Sequence, residues 1–191
     1  MDFLQQKVIE DGVVIDGSIL KVDSFLNHQI DAQLMNEIGK NLFETYKDKN
    51  ITKILTIEAS GIAPAIMAAL HFNVPCLFAK KAQPSTLTEE IYSTEIHSYT
   101  KNKTNHVIIS KKFLNKDDRV LIIDDFLANG EAALGLYSLV KQAGASCQGV
   151  GIVIEKSFQK GRQRLINEGL NVTSLCRIAS LDNNQVTLVG E

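Results

Sequence analysis

Two adjacent carboxylates, Asp124 and Asp125, stand between four apolar residues, Val120-Leu121-Ile122-Ile123, and a run of small ones, Ala128-Asn129-Gly130. The apolar four read as a strand covered on both faces, as in a parallel sheet, so the acids leave at the carboxyl edge where such sheets bind ligands. A helix is expected from Glu131, and its opening amides carry a partial positive charge. With so little side chain before it, that turn can cradle a phosphate. The paired carboxylates can accept hydrogen bonds from the vicinal hydroxyls of a sugar or, through water, hold magnesium. A plainer reading competes, since acids after a strand and small residues before a helix are also ordinary punctuation.

A second turn of the same kind, Glu58-Ala59-Ser60-Gly61, again separates a strand from a helix. Ser60 lacks the G-x-S-x-G spacing of a nucleophile elbow, and no His/Asp pattern accompanies it. Two phosphate-sized turns on one sheet edge, with a carboxylate pair at one of them, suit a ligand phosphorylated at two separate places. No G-x-G-x-x-G follows a strand and no Gly-Lys-Ser/Thr triplet is present. Gly149-Val150-Gly151 lies inside an apolar run and reads as a place of close packing.

The elements that must position these residues follow from periodicity. Asp2 caps a helix with Leu4, Val8 and Ile9 on one face, ended by Gly12. Val13 to Ile15 and Ile19 to Val22 flank Asp16-Gly17-Ser18 as a hairpin. Asp31 opens a longer helix whose inner stripe is Leu34, Met35, Ile38, Leu42, Phe43 and Tyr46. Strands over 53–58, 75–80, 119–124, 147–155 and 172–178 alternate with helices over 61–70, 131–143 and 162–168. Residues 90–98 and 105–109 read as two antiparallel strands or the arms of a flap, after a polar connection over 81–88. The expectation is an α/β fold, a mostly parallel central sheet with helices on both faces, in one domain spanning 1–191.

Length and composition agree with that reading. The chain has 191 residues, 45% of them hydrophobic, enough for a sizeable core. Its longest apolar stretch, Ile62 to Leu70, is too short to span a bilayer and holds a proline, and the amino terminus lacks the order of a signal peptide. No membrane contact is expected, and the cytoplasm is the default location. Cys76, Cys147 and Cys176 are widely spaced and suit small buried hydrophobes rather than a metal or redox site. A net charge of −2 with mixed signs offers no footprint for nucleic acid.

The strand, the two acids and the small-residue loop resemble the fingerprint of the phosphoribosyltransferase family of the type I fold, with Asn129 where threonine is usual. Leu20 to Gln29, Glu58 to Ala65 and Gly151 to Gln159 resemble the members that act on xanthine, and the similarity covers nearly the whole chain. The resemblance implies that 5-phosphoribosyl 1-pyrophosphate and xanthine are the substrates, with magnesium bound to the donor's pyrophosphate. Asp124 and Asp125 would hold the ribose hydroxyls, while Ala128, Asn129, Gly130, Glu131 and Ala132 wrap the 5-phosphate. Ala59, Ser60 and Gly61 would face pyrophosphate. Lys80 and Lys81 resemble a basic pair that other members place near the lid. Lys156 stands where related members aim a lysine at the purine ring oxygen. Residues 1–30 resemble a hood over the base, Asn27 reading the extra oxygen of xanthine and Leu20 covering the ring. Residues 81–110 would form the lid, and a homodimer is implied. Members acting on hypoxanthine and guanine often carry an acid where this chain has Ala128, so no general base transfers to that position. A sensor of the donor that binds nucleic acid or a partner protein, and a magnesium-dependent sugar-phosphate hydrolase, are the competing readings.

Overall fold

The computed structural model describes residues 3–81, 90–98 and 103–190. Helix α1 (Phe3–Asp11) leads into a hairpin of β1 (Val13–Ile15) and β2 (Ile19–Lys21). Leu4 and Val8 are buried, but Ile9 is 39% exposed. The reason is angular: residues four apart stack on one face, whereas the next position lies about 100° further round. Asp2, expected to cap α1, lies outside the described residues. A π-helical turn over Asp23–Asn27, which periodicity did not foresee, buries Phe25 and Leu26.

Helix α2 (Ala32–Tyr46) begins as its cap dictates, the Asp31 carboxylate accepting from the Gln33 and Leu34 amides at 3.1 Å. Leu34, Met35, Ile38, Leu42 and Tyr46 are buried, and Phe43 is half-buried with its ring edge-on to Phe72. Thereafter strand and helix alternate: β3 (Lys53–Ile57), α3 (Ile62–Phe72), β4 (Cys76–Lys81), β5 (Ile91–Ser98), β6 (Lys103–Ser110), β7 (Arg119–Leu127), α4 (Glu131–Gln142), β8 (Ser146–Lys156), α5 (Gly161–Asn167), β9 (Val172–Ser180) and β10 (Thr187–Leu188).

One sheet runs β10-β9-β8-β7-β3-β4-β6-β5, parallel from β9 to β4 and antiparallel towards both edges. This is the expected mostly parallel sheet with helices on both faces. In β7, Val120 and Ile122 join the core formed with Leu136, Leu139 and Val140 of α4. Leu121 and Ile123 join the opposite core with Leu34, Met35 and Ile38 of α2. A strand packed on both faces reads as a continuous apolar run, which is why no alternation marks it in the sequence. The glycines of the 149–151 run are close-packed as expected. An added Cβ at Gly149 would strike the Tyr46 ring, and at Gly151 it would come within 2.8 Å of Leu42.

The strands β5 and β6 are antiparallel to each other, and β6 continues the sheet from β4. Ile96 of β5 packs against Gly135 of α4, leaving no space for a Cβ there. The Gln142 amide bonds the Ser93 backbone in both directions, donating to its carbonyl at 2.8 Å and accepting from its N–H at 3.2 Å. A side chain thus satisfies part of an edge that another chain could otherwise pair with. Of the 81–110 segment, residues 82–89 and 99–102 lie outside the described residues. Cys176 is buried and Cys76 and Cys147 are half-buried, desolvation pushing the thiols of the latter two up to about 11.

Candidate active site

Strand β7 carries Asp124 and Asp125 within its length and runs on to Leu127, three residues past the expected end. Asp124 is buried, and its Oδ1 accepts from the Asp125 amide at 3.0 Å. Burial first, and the neighbouring charge of Asp125 second, hold the Asp124 carboxyl well above the usual carboxylate range, while the Lys81 ammonium pulls the other way. Both acids open onto a cavity of about 440 Å3 at the carboxyl edge of the sheet.

The loop over Ala128, Asn129, Gly130, Glu131 and Ala132 forms one wall of that cavity, and Ala59, Ser60 and Gly61 form another. Each loop opens a helix, α4 and α3, in which no side chain caps the first amides. Helix α2, with its Asp31 cap, shows the contrast. Opening amides without a side-chain cap, facing a cavity, are donors an anion can use. In α3 the Ile62 amide already donates to the Ala59 carbonyl and Pro64 offers none, so the loop amides before it would carry that role. Close approaches fix both loops. A Cβ on Gly61 would press into the Thr56 hydroxyl and stand 3.1 Å from Asp124 Oδ1, so only glycine brings the loop this near the acid. Gly130 has φ +85° and packs on Gly161, whose amide donates to the Ala128 carbonyl at 3.0 Å. Arg164 of α5 adds a clamp, donating to the Asn129 carbonyl at 2.6 Å and pairing with the Glu131 carboxylate. A cis peptide joins Glu58 to Ala59, and Glu58 Oε1 accepts from the Lys81 amide at 2.6 Å.

At the far end, Lys156 lines the cavity from the last position of β8. Its ammonium donates to the Ser18 carbonyl at 3.0 Å, tying the β1–β2 hairpin to this wall, and burial pushes it below its ordinary range. Behind it, Glu155 is buried and held by Arg162, Ser157, Ser174 and Arg177. Burial alone would raise the Glu155 carboxyl, but the hydrogen bonds from Arg162, Ser174 and Ser157 bring it down to about 2.

The structure therefore gathers Asp124, Asp125, both loops, Lys81 and Lys156 around one cavity. It does not gather three others. Lys80 lies over the Phe78 ring, 5.9 Å from its centre, because neighbouring strand residues face opposite sides of the sheet. Leu20 is buried in the amino-terminal core beside Gly12, and Asn27 is exposed at the end of the π-helical turn; neither lines the cavity. Sequence reasoning passed over Phe126, His97, Asn105 and Gln159, which do line it. His97 sits 3.3 Å from Thr104 Oγ1 across the β5–β6 pair. Phe126 directly follows the acids and Gln159 stands three residues after Lys156, so proximity to assigned residues was the available signal.

Among the described residues no three His, Cys, Asp or Glu side chains come close enough to hold a metal ion by themselves. Two carboxylates completed by phosphate oxygens and water are nonetheless a coordination that magnesium accepts.

Comparison with known proteins places these features in a family. Residues 21–189 match the phosphoribosyl transferase domain. A xanthine phosphoribosyltransferase of Macrococcus caseolyticus is 74% identical over all of this chain and 98% of its own length. The xanthine phosphoribosyltransferase of Staphylococcus aureus is 71% identical over the full length of both. Among solved structures, adenine phosphoribosyltransferase of Trypanosoma brucei superposes with a TM-score of 0.77 at 20% identity, over 96% of this chain and 84% of that one. The adenine phosphoribosyltransferase of Thermoanaerobacter pseudethanolicus gives 0.68 at 26% identity, over 77% and 82%.

Proposed function

The chain belongs to the phosphoribosyltransferase family, and from that premise we propose that it is a purine salvage enzyme converting xanthine and 5-phosphoribosyl 1-pyrophosphate to xanthosine 5′-monophosphate and pyrophosphate. The single observation that carries this reading is the pair of uncapped helix amino termini on either side of the Asp124–Asp125 carboxylates in one cavity. A donor phosphorylated at two places needs two such anion sites with a hydroxyl-binding pair between them. In this reading the amides of 128–132 take the 5-phosphate, those of 59–61 take the pyrophosphate, and Lys81 adds a charge beside the latter.

The reaction exchanges the bond from the anomeric carbon to the pyrophosphate oxygen for one to a purine nitrogen, through an oxocarbenium-like state. Asp124 and Asp125 fix the ribose by its hydroxyls with oxygens already in place beside the developing cation, which is preorganisation rather than covalent catalysis. Asp124 and Asp125, through water, would help hold a magnesium ion bound with the donor, whose charge would favour departure of the pyrophosphate. Lys156 directs its remaining donors at a ring oxygen of the base, and the β5–β6 side of the cavity limits the water that could hydrolyse the donor. The reading also includes a hood over 1–30, a lid over 81–110, a homodimer and a cytoplasmic setting. Exposed Ile66, Leu70, Phe78 and Phe113 give apolar surface that suits a second copy of the chain. Among the described residues no helix is long and apolar enough to cross a membrane.

The test is a panel of free purines and pyrimidines incubated with the donor and magnesium, with nucleotide and pyrophosphate measured together. Xanthosine monophosphate is expected as the preferred product. Absence of any nucleotide, combined with binding of nucleic acid, would replace the enzyme by a sensor on the same fold.

A further inference from the structure

Gln159 is the one polar side chain lining the cavity whose buried oxygen, Oε1, has no hydrogen-bond partner among the described residues. A buried acceptor left unpaired is costly, so its place in a ligand cavity invites a donor from the ligand. The segment that carries it is fixed from several sides. The Gln159 amide donates to the Lys156 carbonyl at 2.9 Å, closing a turn that brings both residues to the same wall. Ser157 is tied to the Glu155 carboxylate at 2.7 Å, and Gly161 is tied to the phosphate-binding loop through Ala128. The amide therefore rides on a short turn braced against the loop that would hold the sugar phosphate.

We propose that Gln159 is a specificity-determining residue that reads the base together with Lys156, its carboxamide oxygen accepting the N1–H of a 6-oxopurine while the ammonium donates to the neighbouring ring oxygen. The inference rests on the proposed function and adds the second half of the recognition. A 6-oxopurine presents an acceptor and a donor side by side, and Lys156 with Gln159 presents a donor and an acceptor in matching order. Adenine shows the reverse order at those two atoms. A glutamine could turn its amide to suit adenine, but a lysine has nothing except donors, so the pair together favours one base class. A site whose own polar groups are stranded by the wrong ligand discriminates more strongly than one that is only roomy.

The experiment measures kcat/KM for xanthine and for 1-methylxanthine, which lacks the N1–H, in the parent enzyme, Gln159→Met and Gln159→Leu. The parent is expected to prefer xanthine by about 10-fold or more, the scale of one buried hydrogen bond. Both variants should lose about 10-fold on xanthine and change little on 1-methylxanthine, so the ratio falls towards one; either variant that folds suffices. An equal loss on both bases, or no loss on either, overturns the assignment. A parent inactive on every purine would defeat the proposed function and this inference with it, whereas an active parent with an unchanged ratio in the variants defeats this inference alone.

Discussion

On the proposed reading, the groups that would take the phosphates are backbone amides, whereas those that would take the base are side chains. The amides of 128–132 are held by glycine-to-glycine contact with Gly161 and by Arg164, and those of 59–61 by the close approach of Gly61 to Thr56 and Asp124. Lys156 and Gln159 depend instead on a turn at a strand end and on a hairpin far away in sequence, joined to it through Ser18. Backbone donors are indifferent to residue type once the turn is made, so a phosphate end can persist through large sequence change. Side chains can be exchanged one at a time. That division is compatible with a fold shared with an adenine enzyme at 20% identity beside 74% identity over the full chain to an enzyme named for xanthine.

The sharpest test of the phosphate end is Asp124→Asn with Asp125→Asn, which should lower turnover by at least ~10²-fold for every base, because the preorganised carboxyl pair around the reacting sugar is lost. Folding should survive. The raised Asp124 carboxyl means that the folded state holds a proton the unfolded chain releases, so stability falls as pH rises through the range between the two states. Removing that group should raise the melting temperature at neutral pH, read by thermal unfolding. Near-normal turnover in the double variant would break the assignment. Gly161→Ala comes next. Its Cβ would strike the Ala128 carbonyl and stand 2.7 Å from Leu127 Cδ1, displacing the loop. A loss of up to about 10²-fold is expected, shared equally by all bases. A base-dependent loss would mean that the two ends are not separable.

At the base end, Lys156→Met should reduce efficiency with xanthine by about 10- to 100-fold, the worth of one charge-assisted hydrogen bond, while KM for the donor stays within about twofold. Full efficiency in the variant would remove Lys156 from base recognition. Asn27→Ala probes whether the hood reaches the base. It should cost xanthine about 1–3 kcal/mol more than hypoxanthine if the amide meets the extra ring oxygen on closure. Steady-state kinetics with both bases decides it, an equal loss leaving Asn27 outside the site. The smallest effect expected is on stability. Glu155, brought down to about 2, contributes stability that is present above the unfolded carboxylate range and is lost as pH falls from there towards about 2. Glu155→Gln should flatten that acid limb of the unfolding curve, and an unchanged limb would show that the network behind Lys156 does not depend on the charge.

How far the site was legible depended on the kind of signal. Asp124, Asp125 and both small-residue turns stand next to a strand and a helix in the chain, so local pattern sufficed to place them at the carboxyl edge of the sheet. Phe126 was passed over because an apolar residue beside a strand reads as core, and Gln159 because a lone glutamine in a turn has no spacing partner. Lys80 and Lys81 look alike in sequence, yet the pleat sends one to the cavity and the other over Phe78. Leu20, which resemblance set against the base, packs in the core beside Gly12 and does not line the cavity.

What the sequence by itself determined was the order of elements, the two-sided burial of β7 and the places where strands hand over to helices with small residues between them. Those are properties of neighbours along the chain, where periodicity and turn chemistry act. Only the tertiary structure decided that the two anion turns share one cavity, that Gly161 brings α5 against the phosphate loop, that Ser18 meets Lys156, and that Ile96 and Gln142 fasten the outer hairpin to α4. Each of these joins residues far apart in sequence, and their partners were chosen by the packing of whole helices and strands, which no local pattern records.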